Sequence, residues 1–532
     1  MSNQRYGYPT LSIVLFWVCL LSQTAAFERQ LHHRWKRIHP NIRLHDSLSP
    51  FYDDFEDMSM PTSSSKSDQD WFDALKRRQR SIEKVAVESS SSARYLQNWK
   101  SANCASTVRL SLDDWIRRMA IENYPLAVCG SASGHIYLAD LQQGQALDCI
   151  QDIHSAQLHE DDSRYTTTFQ NAMNDLYGRY DGGGVITLAI KGDIVASAGR
   201  EGGVHIATIT GEEEDLYKGS RGGIARQTKL SLKREGFLRG LENSSDALIT
   251  SLAFDASGTL WVGGYDGNLM GYDAEEMDAD NRPMLLRQKY PMFETNLNSP
   301  ILSISINDDI GCGVGCTRGG GIFIFSTDDG QVFATWKPVG KRDEFFRTAI
   351  IVQNDPDPES IWSIVCGGSE GSVFQRALNV DILSRSVSDA APFRDMIEGS
   401  THELPSKLRP NHQGSVLAMA SPFPGLLVTG AQDGNVRVWD CSSRGTSPVE
   451  AIEEEEEETE AEAQYDDVGA SDNRPRCLYA MTGYKVWLGS IFAGKKKLVS
   501  DGADNTIIVH SFDGEEDMML RDDDEEGGFA YE

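Results

Sequence analysis

A unit of short strands punctuated by a tight turn recurs along this chain, and it is the feature that most narrows what the chain can fold into. Its clearest copy is 412–440, HQGSVLAMASPFPGLLVTGAQDGNVRVWD. Strands at 416–420, 426–430 and 436–440, with the turn Gln432-Asp433-Gly434 before the last, follow each other at hairpin distances. Weaker copies span 248–273, turning at Tyr265-Asp266-Gly267, and 126–140, 185–208, 301–326 and 361–377, turning at Ser133-Gly134, Glu201-Gly202, Gly319-Gly320 and Glu370-Gly371. A further copy, 478–511, turns at Asp504-Asn505. Such a unit is too small to bury its own apolar side, so about seven of them imply an all-β body in which neighbours cover one another. Successive turns lie roughly 50–70 residues apart, longer than the roughly 40–45 of a compact repeat, so insertions are expected. Polar or glycine-punctuated stretches at 165–184, 211–243, 273–298, 386–410 and 450–475 read as surface loops.

The 412–440 unit closely resembles a WD repeat. In that family a His, a Ser or Thr, an Asp and a Trp form a hydrogen-bonded chain that pins three strands of a blade, and His412, Thr429, Asp433 and Trp439 occupy the four places. The role this implies is structural: a buried polar chain is tolerable only when every member is paired. In the 248–273 copy, Val262 stands where Thr429 stands and no His opens the unit, so its chain is broken. The resemblance implies an all-β, about seven-bladed WD-repeat-type β-propeller at 104–514, behind an N-terminal targeting and disordered segment. Closure of such a ring needs an N-terminal strand lent to the last blade, and 107–112, TVRLSL, alternates as that strand should.

The chain has 532 residues, which one propeller can absorb without several domains. Its net charge of -30 repels phosphate backbones and anionic headgroups, so nucleic acid is not an expected partner. Acidic runs at 450–467 and in the tail 515–532 read as solvated, disordered segments. Beyond Cys19, eight cysteines are scattered without dense spacing and several fall in apolar strands, which predicts buried free thiols. Cys312 and Cys316 are close, but no second ligand pair lies nearby, so no metal site is expected.

Residues 1–26 carry Arg5, an apolar stretch at 11–21 and the small residues Thr24-Ala25-Ala26, the layout of a secretory signal peptide. Eleven apolar residues are too few for a stable membrane span, so no stable membrane insertion is expected. After the Ala26-Phe27 junction the segment is basic, with Arg29, Arg34, Lys36, Arg37 and Arg43, and it resembles the bipartite plastid leaders of diatom-type algae. Glu28 and the acidic 53–57 patch depart from that pattern, which keeps secretion and the endoplasmic reticulum open as destinations. Residues 27–103 read as transit-like or linker sequence, mostly disordered, with a short helix at 71–87 and the option of a helix docked on the propeller. Asn243-Ser244-Ser245 is a glycosylation sequon.

Three functions are compatible with this sequence. The leading one is a non-enzymatic protein-binding scaffold, a monomer or subunit of a complex, with 211–243 as a contact loop; there Lys218, Arg221, Arg226, Lys229, Lys233, Arg234 and Arg239 form a basic patch, read either as solvated or as paired with the acidic insertion. A propeller enzyme is the second. The string Gly367-Gly368-Ser369-Glu370-Gly371 has the spacing of a nucleophile elbow, but a strand rather than a helix follows it; zinc-protease and phosphate-loop motifs are missing, and no catalytic residue or cofactor is expected. The third is a ubiquitin-ligase substrate receptor, for which an Arg two residues after Trp439-Asp440 is expected; Ser442 stands there.

Overall fold

Branched and aromatic residues alternate with small ones along most of the chain, and in the computed structural model these stretches are strands. The structure describes residues 89–154, 184–199, 203–216, 225–238, 248–274, 291–336, 345–355, 362–378, 406–442, 475–484, 488–503 and 505–513. The leader, the 71–87 helix, the sequon, the 450–467 run and the 515–532 tail lie outside them.

The described strands pair into seven antiparallel sheets of four. After β1 (Ala105–Ser111), blade 1 comprises β2 (Ile116–Ala120), β3 (Leu126–Ser131), β4 (Ile136–Asp140) and β5 (Gln145–Ile150). Blade 2 comprises β6 (Val185–Lys191), β7 (Ile194–Gly199), β8 (Val204–Leu216) and β9 (Ala225–Phe237). Blade 3 comprises β10 (Ile249–Phe254), β11 (Thr259–Gly264), β12 (Asn268–Asp273) and β13 (Phe293–Asn296). Blade 4 comprises β14 (Ile301–Asn307), β15 (Cys312–Thr317), β16 (Ile322–Ser326) and β17 (Val332–Trp336). Blade 5 comprises β18 (Phe346–Gln353), β19 (Trp362–Gly368), β20 (Val373–Leu378) and β21 (Ser406–Leu408). Blade 6 comprises β22 (Val416–Phe423), β23 (Leu426–Ala431), β24 (Val436–Asp440) and β25 (Arg476–Met481). Blade 7 comprises β26 (Ile491–Ala493), β27 (Lys497–Ala503) and β28 (Thr506–Ser511), and β1 is its outer strand.

Pairing of β1 with β28, Ala105 opposite Ser511 and Ser111 opposite Thr506, closes the ring and leaves no open edge at the joint. The apolar clusters follow the same logic, each drawing on two successive blades: Val128 and Leu138 meet Val185 and Val195, and Val352 and Val365 meet Val416 and Trp439. The last interface joins Val499 and Ile507 of blade 7 to Ile116 and Cys129 of blade 1. Blades approach closely because Gly130, Gly263, Gly367 and Gly430 sit at one equivalent position. A Cβ there would meet Val185, Ile301, Val416 or Ile491 of the next blade within 2.8 Å.

The innermost strands carry a recurrent irregularity. In blades 1 to 6 the register slips after the first residue, between Ile116 and Arg118, Val185 and Thr187, Ile249 and Ser251, Ile301 and Ser303, Phe346 and Thr348, and Val416 and Ala418. Such bulges re-aim side chains, and in blades 3 to 6 the bulged residues Thr250, Leu302, Arg347 and Leu417 line the inside of the ring. Hydroxyls then fasten neighbours: Thr187 Oγ1 accepts the Leu252 amide at 3.1 Å, Ser251 Oγ that of Ile304 at 2.8 Å, and Ser490 Oγ that of Met119 at 3.0 Å.

One end of the ring, here the upper face, carries the turns between second and third strands and the blade-to-blade connections. The lower face carries the first-to-second turns and the third-to-fourth connections. The long connections β8–β9, β12–β13, β20–β21 and β24–β25 all leave from the lower face, whereas β4–β5 and β16–β17 are short. Helix α1, residues 89–100, docks on the same face. Its Trp99 stacks on Phe512 with centroids 3.8 Å apart and donates from Nε1 to Lys495 O at 3.0 Å, while Tyr95 joins the cluster of Phe423, Leu426 and Leu498. Helix α1, upstream of β1, thus packs on the ring.

Three sequence readings need correction. Residues 478–481, assigned to the last unit, belong to β25 of blade 6, because the insertion parts this outer strand from β24. Blade 5 begins at Phe346, with the strand paired to β19, rather than at 361. The 211–243 stretch is largely not a loop: β8 and β9 pair across twelve positions from His205↔Phe237 to Leu216↔Ala225.

Candidate functional site: the upper face and the channel

In blade 6, Trp439 Nε1 donates to Thr429 Oγ1 at 2.9 Å, and Thr429 Oγ1 lies 2.8 Å from His412 Nε2. His412 Nδ1 is 3.2 Å from both Asp433 carboxylate oxygens. Since the indole can only donate, the threonine hydroxyl gives its proton to Nε2, and Nδ1–H donates to the carboxylate. Asp433 also accepts from the Gln413 and Asn435 amides at 2.9 and 3.1 Å. Burial alone would raise the Asp433 carboxyl, but the hydrogen bonds from His412, Gln413 and Asn435 prevail and hold it well below the usual carboxylate range. The four side chains are thus brought together with their polar atoms turned on one another.

Other blades hold partial versions that the sequence did not reveal. In blade 2, His154 Nε2 is 2.9 Å from Ser197 Oγ, with the His205 ring edge-on at 4.7 Å. Residues 155–183 part His154 from its blade, which hid the spacing; a His before the insertion and a Ser in the Thr429 place were the available signal. In blade 7 the roles are exchanged: Tyr484 OH meets His510 Nε2 at 2.6 Å, His510 stands where Trp439 does, and Ser106 of the closing strand meets its Nδ1 at 2.6 Å. Blade 3 uses its lower end, where Trp261 Nε1 donates to buried Asp255 at 2.9 Å.

On the upper face the blade-to-blade connections are tied to the adjacent turns. Asp114 accepts the Ser133 amide at 3.0 Å, Ser299 that of Gly319 at 3.0 Å, and Asp433 that of Gln413. Ser369 lies in the turn between β19 and β20, and its amide donates to Phe345 O at 2.8 Å; β20 follows, so no helix caps it. Beside these ties stand two matching pairs: the Arg117 guanidinium carbon is 5.1 Å from the Trp115 ring, and that of Arg347 is 5.1 Å from Phe345. Both aromatic rings are partly exposed.

Inside the ring a polar cavity of about 150 Å³ is lined by Arg118, Thr187, Thr250, Ser251, Leu302, Ser303, Arg347, Leu417 and Gly489, a wall contributed by all seven blades. Arg118 is fixed there, its Nε donating to Ile186 O at 2.8 Å and its Nη1 to Gly489 O at 2.9 Å. Behind Gly489 lies Asp501, whose Oδ1 accepts the Gly489 amide at 3.2 Å. Asp501 occupies the place of Gly430 in blade 6, and burial pushes its carboxyl up to about 7, with the Ser490 amide and the Arg118 charge acting against that rise.

The remaining predicted residues fall as follows. Cys312 and Cys316 are both buried on β15, where burial pushes each thiol up to about 12, so the metal-binding thiolate is disfavoured. All described cysteines are free, and five are buried. Within the basic patch, Lys218, Arg221 and Arg239 lie outside the described residues. Backbone register sets Asp215 opposite Arg226 and Glu212 opposite Lys229. Lys233 pairs with Glu235 at 2.8 Å, and the Arg234 guanidinium lies 5.6 Å from the Phe237 ring. Ser442 closes back on Asp440, and Asp440 is bridged by Lys100 of α1 at 3.1 Å. Among the described residues no group of three His, Cys, Asp or Glu converges, and no helix is long and apolar enough to cross a membrane.

Residues 404–440 match the family model described as WD domain, G-beta repeat. Among solved structures the chain is similar to the computationally designed Ika8 protein, at 15% identity over 76% of this chain and 99% of that one, with a TM-score of 0.40. It is similar as well to the WD40 β-propeller domain of Doa1, at 10% identity over 76% and 97%, TM-score 0.43. Raptor of Chaetomium thermophilum is a third, at 10% identity over 77% of this chain and 29% of that one, TM-score 0.45. None of the curated proteins compared with the chain matches it. Seven four-stranded blades closed by an N-terminal strand define a β-propeller, one segment of which, 404–440, matches a WD repeat. It has seven blades, and blade 6 carries all four polar side chains of the repeat.

Proposed function

We propose that this propeller is a non-enzymatic scaffold that holds other proteins on its upper face. The observation that carries the reading is the pair of Arg–aromatic contacts, Trp115 with Arg117 and Phe345 with Arg347, on a rim whose connections and turns are cross-tied. Large aromatic side chains supply much of the binding energy at protein interfaces, and here each partly exposed ring is backed by a buried arginine, Arg117 or Arg347. A rim ordered before binding loses little entropy when a partner arrives. His412 and Asp433, the residues a hydrolase would need, are instead occupied with each other and with Thr429. The experiment is affinity purification of full-length chain against the double variant Trp115→Ala, Phe345→Ala. Partners recovered with the wild type are lost at least tenfold with the variant; equal recovery overturns the reading.

The leader is part of the same proposal: residues 1–26 direct the chain into the secretory route, with a plastid as destination and secretion or the endoplasmic reticulum as alternatives. A fluorescent fusion with and without residues 1–26 tests it, and cytosolic signal from both rejects it.

A further inference from the structure

Helix α1 takes no part in closing the ring. Blades 6 and 7 are complete without it, β24 pairing with β25 and β1 with β28, and residues 101–104 join the helix to β1. What α1 fills is a notch on the lower face between these two blades. Phe423 and Leu426 of blade 6 form its apolar floor together with Leu498 and Phe512 of blade 7. The rim is polar: Phe512 O accepts the Asn98 side-chain amide at 2.7 Å, Lys495 O accepts Trp99 Nε1 at 3.0 Å, and Asp440 meets Lys100 Nζ at 3.1 Å. Burial alone would raise the Asp440 carboxyl, but hydrogen bonds from Ser442 and Lys100 hold it below the usual carboxylate range, so the rim presents an anion.

The helix brings little stability of its own to this contact. It opens on four serines, Ser89 to Ser92, which are poorer helix formers than alanine, and an isolated helix of this length is marginal in water. Its helical state therefore depends on the seat, and its undocking breaks no strand ladder.

We propose that this lower-face notch is a docking groove for a short amphipathic helix of a partner protein, with α1 as its internal occupant and competitor.

The notch defines the chemistry of that partner. Side chains four apart share one helix face, and here Tyr95 and Trp99 are buried while Ala93, Arg94 and Gln97 are exposed. The floor thus takes two large aromatic rings at that spacing, the anchoring that helix-in-groove recognition uses. Lys495 O accepts an N–H from the second ring, which favours tryptophan there. Asp440 calls for a lysine or arginine one residue later, because a half-buried pair that loses its cation leaves the carboxylate uncompensated. Tethered through 101–104, α1 competes at an effective concentration on the order of millimolar, so the groove opens fully only when α1 is loosened. The proposal concerns the face opposite Trp115 and Phe345 and goes beyond the upper-face scaffold reading.

The test is fluorescence anisotropy of a fluorescein-labelled peptide spanning 89–101, titrated with full-length chain. The Trp99→Ala chain, its own helix undocked, binds the peptide at one site and at least tenfold more tightly than the wild-type chain does. Placing Trp99→Ala in the peptide instead weakens binding at least tenfold, and Lys100→Glu in the peptide weakens it at least threefold. A host peptide of alanine and glutamine that keeps only the tyrosine, tryptophan and lysine at their native spacing still binds. Because the Trp99→Ala chain can fail to fold, full-length Lys100→Glu supplies a second arm: it sets like charge against Asp440, loosens α1 without removing a ring, and binds the 89–101 peptide at least threefold more tightly than the wild-type chain. Peptide binding to neither folded variant, equal binding to the wild-type and variant chains, or undiminished binding of the peptide that lacks tryptophan overturns the proposal. Failure of the host peptide makes the notch a seat for α1 alone and overturns it as well. A wild-type dimer in sedimentation that dissociates with Trp99→Ala would put a second copy of this chain in the groove and overturn the partner helix. The capture experiment on Trp115 and Phe345 succeeds or fails independently of these outcomes.

Discussion

His154 Nε2 and Ser197 Oγ stand 2.9 Å apart in blade 2, the contact that His412 Nε2 and Thr429 Oγ1 make at 2.8 Å in blade 6. Both join a blade-to-blade connection to the second strand of the blade it enters, although one His precedes its partner by 43 residues and the other by 17. If these contacts are fasteners, His412→Ala strands the Thr429 hydroxyl and the Asp433 carboxylate and destabilises the fold by about 2–4 kcal/mol. His154→Ala costs about 1–3 kcal/mol. Urea unfolding of each variant measures this, and a loss under about 0.5 kcal/mol at His412, within the range of ordinary surface changes, contradicts the fastening role.

Trp99 ties α1 to blades 6 and 7 through Phe512 and Lys495. Trp99→Ala removes a large buried ring and costs about 3–5 kcal/mol of local packing. Undocking of the helix is the expected outcome, read as faster hydrogen exchange at residues 89–100 and new protease cleavage before β1, with the blades still protected. Unchanged exchange would show that Asn98 and Lys100 hold the helix without it.

Asp501 and Asp433 respond to pH in opposite senses. The Asp501 carboxyl is pushed up to about 7, against about 3.9 for an unfolded aspartate, so the folded state binds its proton more tightly. Stability from this group falls as pH rises from about 4 to 7 and stays lower above. Asp501→Asn removes that decline, and stabilises the chain at pH 8 relative to pH 5 by on the order of 2–4 kcal/mol. Asp433 is depressed, so its contribution is present above about 3.9 and lost as pH falls further. Asp433→Asn therefore destabilises at pH 7 and less at pH 2. Denaturant titrations across this range decide both signs.

The buried thiols should be inert. Cys129, Cys312, Cys316 and Cys441 are pushed up to about 12 by burial, so almost no thiolate exists at neutral pH. A maleimide applied to folded protein labels none of these four, and labels all of them in guanidinium, as counted by intact mass. Rapid labelling of Cys316 in the native state would mean that the interface between blades 4 and 5 opens readily.

Much of this architecture was legible because it is local. The three inner strands of a blade are contiguous, so their apolar runs and the Asp433-Gly434 turn announce themselves, and the closing strand expected at 107–112 lies at Ala105–Ser111. Outer strands were harder to read: β25 is parted from β24 by the acidic insertion and is only partly buried, so it has neither adjacency nor strong patterning. The Trp99 contact escaped for a related reason, since Phe423 and Phe512 lie more than three hundred residues from it along the chain.

By itself the sequence determined the repeating hairpin, the polar quartet of blade 6, the closing strand and an approximate number of blades, because each is written in residues close together or in a pattern that recurs. Only the tertiary structure decided that Arg118, Arg347 and the hydroxyls of three other blades face one cavity, that Asp501 takes the place of a glycine behind it, and that α1 covers the lower face. Those juxtapositions arise when the ring closes. Closure brings residues from opposite ends of the chain within a few ångströms, and no local spacing records that distance.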